Sequence, residues 1–389
     1  AVFGAADTLP PAVPVGFLVL PAGVSITPTS ISFSPDGGTL YAASLTGFVF
    51  SHAVIAGALL GPPIPFLSGL SQPLGVLATE HGVFVSVARS GRGAVLRARD
   101  TNGDGIADVT DVVLSDLPIG RHNTNGLAIG PDGMLYVSNG NSNDSGFRAE
   151  GGPPHEPPFS GSLLRVDPTA SNLEPDPEMV VGTGWRNNYD VAFVPEGHPS
   201  LPAGLAAVTM NGPDGMSYGQ PGGGSKARPT GEDTLSFLDV TDDVVEHFGF
   251  PWCLYDRSDG GLAGFTQDPE EGDCADLPAA AFAGFPIGPL GDGPQIVVAK
   301  PATLFGTHVS ADGLAFNSGG SFPAEMNGDL FVAEFGNYPG PAVIVGHKVV
   351  RVRFGEAGEI AAVDDFLSAV LPVDLSFAPD GSLWVAELS

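Results

Sequence analysis

Six times along the chain a short apolar run leads into a tight polar turn, and a second strand-like run follows it. The first copy begins Ile31-Ser-Phe-Ser-Pro-Asp-Gly, the third Asn125-Gly-Leu-Ala-Ile-Gly-Pro-Asp-Gly and the sixth Val373-Asp-Leu-Ser-Phe-Ala-Pro-Asp-Gly. Leu74-Gly-Val-Leu-Ala-Thr-Glu-His-Gly, Tyr189-Asp-Val-Ala-Phe-Val-Pro-Glu-Gly and Asp312-Gly-Leu-Ala-Phe are the second, fourth and fifth. In the turn, Pro presets φ, Asp bonds its own backbone and Gly takes the positive φ. Between the copies, runs such as Ala94-Val-Leu-Arg-Ala-Arg and Lys348-Val-Val-Arg-Val-Arg-Phe alternate apolar and charged residues, the period of a strand with one wet face. A hairpin of this kind cannot bury its apolar face alone, so neighbouring copies must pack on one another. The pattern predicts an all-β fold, a six-bladed β-propeller, whose loops gather at one end of a central channel.

The copies run through nearly the whole chain, which argues for one domain over residues 1–389. The fourth and fifth are much farther apart than the others, and the segment at about 214–300 between them reads as the rest of blade four plus an elaborated loop. The N-terminal Val15-Gly-Phe-Leu-Val-Leu is expected to supply the strand that closes the ring, removing an exposed edge.

Charge narrows the partners. Asp and Glu total 44 against 15 Lys and Arg, a net charge of −29, which argues against a nucleic-acid partner because phosphate binding needs a basic surface. Solubility in a salty or extracellular medium is the plain explanation. No apolar run reaches the ~18 residues needed to span a bilayer. No signal-like n-region and h-region follow Ala1, as expected of a mature secreted protein or one made without a signal. The two cysteines, Cys253 and Cys274, share the long insertion. A disulfide between them would stabilise that loop by about 3 kcal/mol in the chain-entropy model and place the protein outside the cytoplasm. Two buried free thiols are the alternative.

Three segments carry candidate chemistry. His122, in Arg121-His-Asn-Thr-Asn, stands before the third inner strand, where an imidazole would project into the channel mouth and could take a proton from a substrate hydroxyl. A lone His is also often a structural hydrogen-bonder, but the same place one blade on reads Trp185-Arg186-Asn187-Asn188, a second set of polar groups. Asn211-Gly212-Pro213-Asp214-Gly215 ends a strand with carbonyls the sheet cannot all pair, hard ligands suited to Ca²⁺ or simply a turn. Separately, Asp100, Asn102, Asp104, Ile106, Asp108 and Asp111 fall at positions 1, 3, 5, 7, 9 and 12 of a calcium-loop spacing with Gly105 at 6. The competing reading of that loop is an Asp/Gly-rich hairpin.

His122-x-Thr-Asn-Gly-Leu-Ala-x-Gly-Pro-Asp-Gly, Trp185-Arg-Asn-x-Tyr, Phe248-Gly-Phe-Pro-Trp and Gly346-His-Lys-Val-Val-Arg-Val, in this order, resemble the glucose/sorbosone dehydrogenase family. That family comprises soluble six-bladed propellers using pyrroloquinoline quinone (PQQ) and calcium to oxidise sugars, and the resemblance runs from about Pro28 to the C-terminus. It implies an extracellular or periplasmic enzyme acting on a small sugar. It assigns His122 as the base, Arg186 and Asn187 to the quinone, Gln72 and Lys348 as further cofactor contacts, and the carbonyls of Gly212 and Pro213 to the cofactor's calcium. Family members place cationic residues just before the last core hairpin. Here Ala369–Asp374, around Leu371, holds no Arg or Lys. A non-catalytic calcium-binding propeller serving extracellular binding or assembly with a protein partner is therefore the alternative. A calcium-dependent hydrolase would need carboxylates converging on the channel, for which Glu334 and Asp190 are the candidates.

Overall fold

The computed structural model describes residues 2–3, 12–20, 22, 26–55, 59–143, 156–213, 217–219, 225–227, 231–242, 244–250, 253–254, 263–264, 295–337 and 344–388. All six core hairpins are present as antiparallel pairs. Pro28–Phe33 pairs with Thr39–Ser44, Val76–Thr79 with Gly82–Arg89, and Thr124–Ile129 with Leu135–Asn139. Asn187–Phe193 pairs with Leu205–Asn211, Ala311–Phe316 with Leu330–Glu334, and Pro372–Phe377 with Leu383–Glu387. The Pro-Asp-Gly turns work as their chemistry dictates. Asp132 and Asp380 each accept the backbone N–H two residues on, at 3.0 and 2.9 Å, and Gly133 and Gly381 take φ of 76° and 81°.

These hairpins grow into the sheets of a β-propeller. Five sheets have four or more strands, and the last, built on Pro372–Phe377 and Leu383–Glu387, has three. Each pair of neighbouring sheets encloses its own apolar cluster. Phe84, Val95, Leu127 and Val137 join the second and third sheets; Ile31, Leu40, Val373 and Trp384 join the first and last. Polar staples link the inner strands around the channel. Val76 N–H donates to Ser30 Oγ (3.1 Å), Ser86 Oγ donates to Asn125 O (2.7 Å), and Asn125 Nδ2 donates to Asn188 O (3.0 Å). Leu314 N–H then donates to Asp190 (3.2 Å) and Ile31 N–H to Asp374 (2.7 Å), tying the last sheet to the first. The channel wall is thus held by side chains replacing the ladder bonds that no strand supplies.

Two expectations are corrected. Val15–Leu20 forms no strand; the strand pairing with Leu383–Glu387 is Val2–Phe3, and it runs parallel. Prolines flank the expected segment, and Phe17 instead wedges edge-on between Phe322 and Phe366, at 4.9 and 5.0 Å between ring centroids. The long insertion does not serve blade four alone. Asp233–Asp239 and Thr303–Gly306 complete the fourth sheet, whereas Val244–His247 and Gln295–Val298 add parallel strands to the third. Among the described residues there is no disulfide; the expected Cys253–Cys274 bond falls outside them. No helix among the described residues is long and apolar enough to cross a membrane.

Candidate active site

The end of the channel where the inner strands begin carries most of the strained backbone. Gln72, Ser90, Asp116, Phe159, His308, Ser310, His347 and Ala369 all have positive φ there, and Asn172 is the one other described non-glycine with this conformation. Each costs of order 1 kcal/mol and persists only where the surroundings over-determine it, a recurrent property of functional faces.

At this end the third and fourth sheets bring His122, Arg186, Asn187 and Gly212 together. His122 precedes the strand Thr124–Ile129, and its backbone N–H donates to Asn141 O (3.2 Å). Its Nδ1 lies 2.6 Å from Asn141 Oδ1. Gly140 holds the group close: a Cβ there would stand 2.5 Å from Asn187 Oδ1 and 2.7 Å from His122 Cβ, so only glycine lets His122 and the Asn187 amide flank the same backbone. Asn141 N–H donates to Arg186 O (2.7 Å), joining the two blades. The Asn187 amide accepts from Asn125 Nδ2 (2.8 Å) and donates to Asn211 Oδ1 (2.6 Å). The buried Arg186 guanidinium donates to Gly212 O (3.1 Å) and Asn211 O (3.3 Å).

Gly212 and Pro213 are fixed by neighbours as well. Gly212 N–H donates to Asp233 Oδ1 (2.6 Å), Ala311 N–H to Asp233 Oδ2 (3.1 Å), and Gly231 N–H to Pro213 O (2.9 Å). Burial pushes the Asp233 carboxyl up to about 7, against the pull of those two amides and of Arg186. Gly212 O thus faces the Arg186 guanidinium and Pro213 O the Gly231 amide.

The other predicted residues lie elsewhere or are committed. Gln72 is an exposed turn residue ahead of the second inner strand. Lys348 opens the third strand of the fifth sheet, where its ammonium contacts Asp365 (2.7 Å) and Glu334 (3.6 Å). Asp190 accepts the Leu314 amide in the channel wall, so the two carboxylates suggested for a hydrolase serve a staple and an ion pair.

In the 100–111 loop the side chains turn inward onto their own backbone. Asp100 accepts from the N–H groups of Gly103 and Gly105 (both 2.7 Å), Asn102 from Asp104 (2.9 Å), Asp104 from Ile106 (2.9 Å), and Asp108 from Thr101. Asp111 has left the loop for Arg97 (3.1 Å) and Arg99 (2.6 Å) on the adjacent strand. Among the described residues no group of three or more His, Cys, Asp or Glu side chains is arranged to hold a metal ion.

Asn141, Glu156, Asn125 and Asp233 are site residues that sequence reasoning missed. Asn141 was legible in hindsight, since Asn139-Gly140-Asn141 ends the second strand beside His122. Glu156 and Asp233 are far from the motif in the chain and only the fold brings them in.

The residues fit PQQ at one end only. A guanidinium, an amide and two carbonyls suit a quinone with its calcium. At the last hairpin, where a tricarboxylate would need cations, the structure holds buried Asp374 and Glu387. The Asp374 carboxyl is raised to about 6, mainly by burial and against the Ile31 amide.

The fold has known counterparts. A sequence family described as Domain of unknown function (DUF7133) matches residues 64–195. No curated protein is significantly similar to the sequence. Among solved structures, the PQQ domain of pyranose dehydrogenase from Coprinopsis cinerea, in its holo form, superposes with a TM-score of 0.68 at 16% identity, covering 100% of this chain and 97% of that one. A calcium structure of the Trichoderma reesei Carbohydrate-Active Enzymes Family AA12 protein gives 0.68 at 16% identity, with the same coverage. The PQQ-bound aldose sugar dehydrogenase from Streptomyces coelicolor gives 0.59 at 18% identity, covering 98% and 93%. At these identities the similarity establishes the propeller fold.

Proposed function

We propose that the chain is a single-domain, six-bladed propeller, its three-stranded last sheet being the sixth blade, and that it oxidises a hydroxyl-bearing carbon of an aldose or related sugar with PQQ and Ca²⁺. The observation that carries this reading is the imidazole of His122, held against Asn141 beside Asn187 and Arg186 at the channel mouth. His122 Nε2 takes the substrate hydroxyl proton, its Nδ1 being occupied by Asn141. Arg186 and Asn187, both buried and hydrogen-bonded on two sides, present rigid donors where negative charge would collect on oxygen. When bound, the quinone would supply the hydride acceptor and calcium, on the carbonyls of Gly212 and Pro213, its polarisation. The sugar dehydrogenases among the similar structures support this substrate class, and an extracellular or periplasmic location goes with it.

A second reading, a non-catalytic propeller that binds or assembles at its acidic surface, is favoured by Asp374 and Glu387 standing where a carboxylate-binding cofactor needs cations. Titrating the protein with PQQ and Ca²⁺ while following the quinone absorbance separates the two. Saturable binding with sugar-dependent bleaching is expected; no binding at all would establish the second reading.

A further inference from the structure

The hydrogen bonds around His122 do not stop at Asn141. The Asn141 Nδ2 donates to Glu156 Oε1 (2.9 Å) and to Asn143 O. Two acceptors therefore claim the amide nitrogen, which leaves the amide oxygen as the atom facing His122, and an oxygen there can only accept. His122 Nδ1 must carry the proton, so in the neutral ring Nε2 carries none. Glu156 is itself buried and over-determined: Ser142 N–H (3.0 Å), Asn143 N–H (3.1 Å) and Ser160 Oγ (2.6 Å) also donate to it.

We propose that Glu156, acting through Asn141, is a positioning residue that holds His122 in its Nδ1–H tautomer and so presents a basic Nε2 to the channel mouth. The step is a choice of protonation site within one ring; no electrons move and no bond other than N–H is exchanged. A neutral imidazole in water prefers the opposite tautomer, so without the relay most rings would offer an N–H where the reaction needs a lone pair. The catalytic part of this inference rests on the dehydrogenase reading; the tautomer part does not.

The test is ¹⁵N NMR of the histidine-labelled protein, without cofactor or sugar. The parent protein is expected to show His122 as a single Nδ1–H tautomer. Glu156→Gln puts an amide where three N–H or O–H groups donate, freeing Asn141 to flip, and is expected to lose that single tautomer. Glu156→Gln with Asn141→Asp moves the carboxylate one link closer and is expected to restore it, a rescue that a purely structural Glu156 would not give. If Glu156→Gln does not fold, Asn141→Leu removes the acceptor directly and is expected to lose the tautomer too. An Nε2–H tautomer in the parent, or an unchanged tautomer in a folded Glu156→Gln or Asn141→Leu variant, overturns the relay. Where sugar oxidation is measurable, Glu156→Gln is expected to lower kcat with KM little changed, up to the ~10⁴-fold lost by a triad whose ring is left in the wrong tautomer. If the NMR results hold while His122→Asn leaves oxidation intact, the relay stands and the assignment of His122 as the base fails; if the NMR results hold while PQQ and Ca²⁺ do not bind at all, the relay stands and the dehydrogenase reading fails.

Discussion

The two halves of the channel mouth differ in what stands in front of their buried carboxyls. On the side of the third and fourth sheets, the neutral amides of Asn125, Asn141, Asn187 and Asn211 share hydrogen bonds around His122 and Arg186, with the carboxyls of Glu156, Asp190 and Asp233 set behind them on backbone amides. On the side of the fifth and last sheets stand Asp312, Glu334, Asp374 and Glu387, buried carboxyls answered by backbone amides, by small polar side chains and, at Glu334, by Lys348. Amide networks fix geometry without storing charge, which suits a base and an oxyanion contact. Buried carboxyls do the reverse, because desolvation favours their neutral form and sets them against any anion placed beside them. The mouth is therefore prepared for a polar, proton-donating substrate on one side and unprepared for a polyanion on the other.

The sharpest way to break this contrast is on the amide side. His122→Asn is expected to lower sugar turnover by at least ~10²-fold while quinone binding, measured by absorbance, changes little. Near-normal turnover would remove His122 as the base. Gly140→Ala drives a methyl into Asn187 and His122 and is expected to cost about 1–3 kcal/mol of stability by denaturant unfolding, with activity falling as well. An unchanged unfolding midpoint would show that the amide lattice has room to relax.

On the acid side the expected signature is a pH dependence. Folding raises Asp374 from 3.8 to about 6 and Glu334 from 4.5 to about 7, both mainly by burial. The folded chain then binds more protons than the unfolded one across that interval, so stability falls as pH rises from about 4 to 7. His247, lowered to about 3 by burial, acts oppositely below its ordinary value of 6.5, so the decline is expected to show most clearly between about pH 6.5 and 7. Thermal melts from pH 5 to 8 at fixed salt check this; a melting temperature that climbs through the range would overturn it. Asp374→Asn and Glu334→Gln together should reduce the slope without removing it, since burial also raises Asp233 and Glu246 to about 7.

The smallest effect is expected in the 100–111 loop. Asp104 is exposed and accepts one local N–H, so Asp104→Ala should change stability by no more than about 0.5 kcal/mol in calcium-free buffer. A larger loss that appears only with added Ca²⁺ would show the loop to be a cation site.

The hairpins were legible because their information is local. Pro-Asp-Gly dictates a turn from three consecutive residues, and period-two alternation dictates which face is wet. The same holds for the placing of His122, Arg186 and Gly212 at one end of the channel, since each sits at the start or end of a strand whose direction the turns determine. Val15–Leu20 misled because an apolar run reads alike as a strand or as an anchor, and the aromatic cleft that captured Phe17 is assembled from residues more than three hundred positions away. The calcium spacing likewise leaves out the partner strand: Asp111 counts as position 12 along the chain, but cross-strand register sets it beside Arg97 and Arg99.

By itself, then, the sequence determined the all-β class, the six hairpins, the acidic surface and the candidate base, all consequences of neighbours within a dozen residues. Only the tertiary structure decided which side chains answer one another across the channel. It placed Glu156 behind Asn141, Asp233 behind Gly212 and Asp374 on Ile31, and it spent Lys348 on Glu334 and Asp365. Such pairings join different strands and the loops that leave them, within one sheet or, for Asp374 and Ile31, between two, so their spacing along the chain follows no period. They are selected by the need to satisfy each buried donor and acceptor where the blades meet.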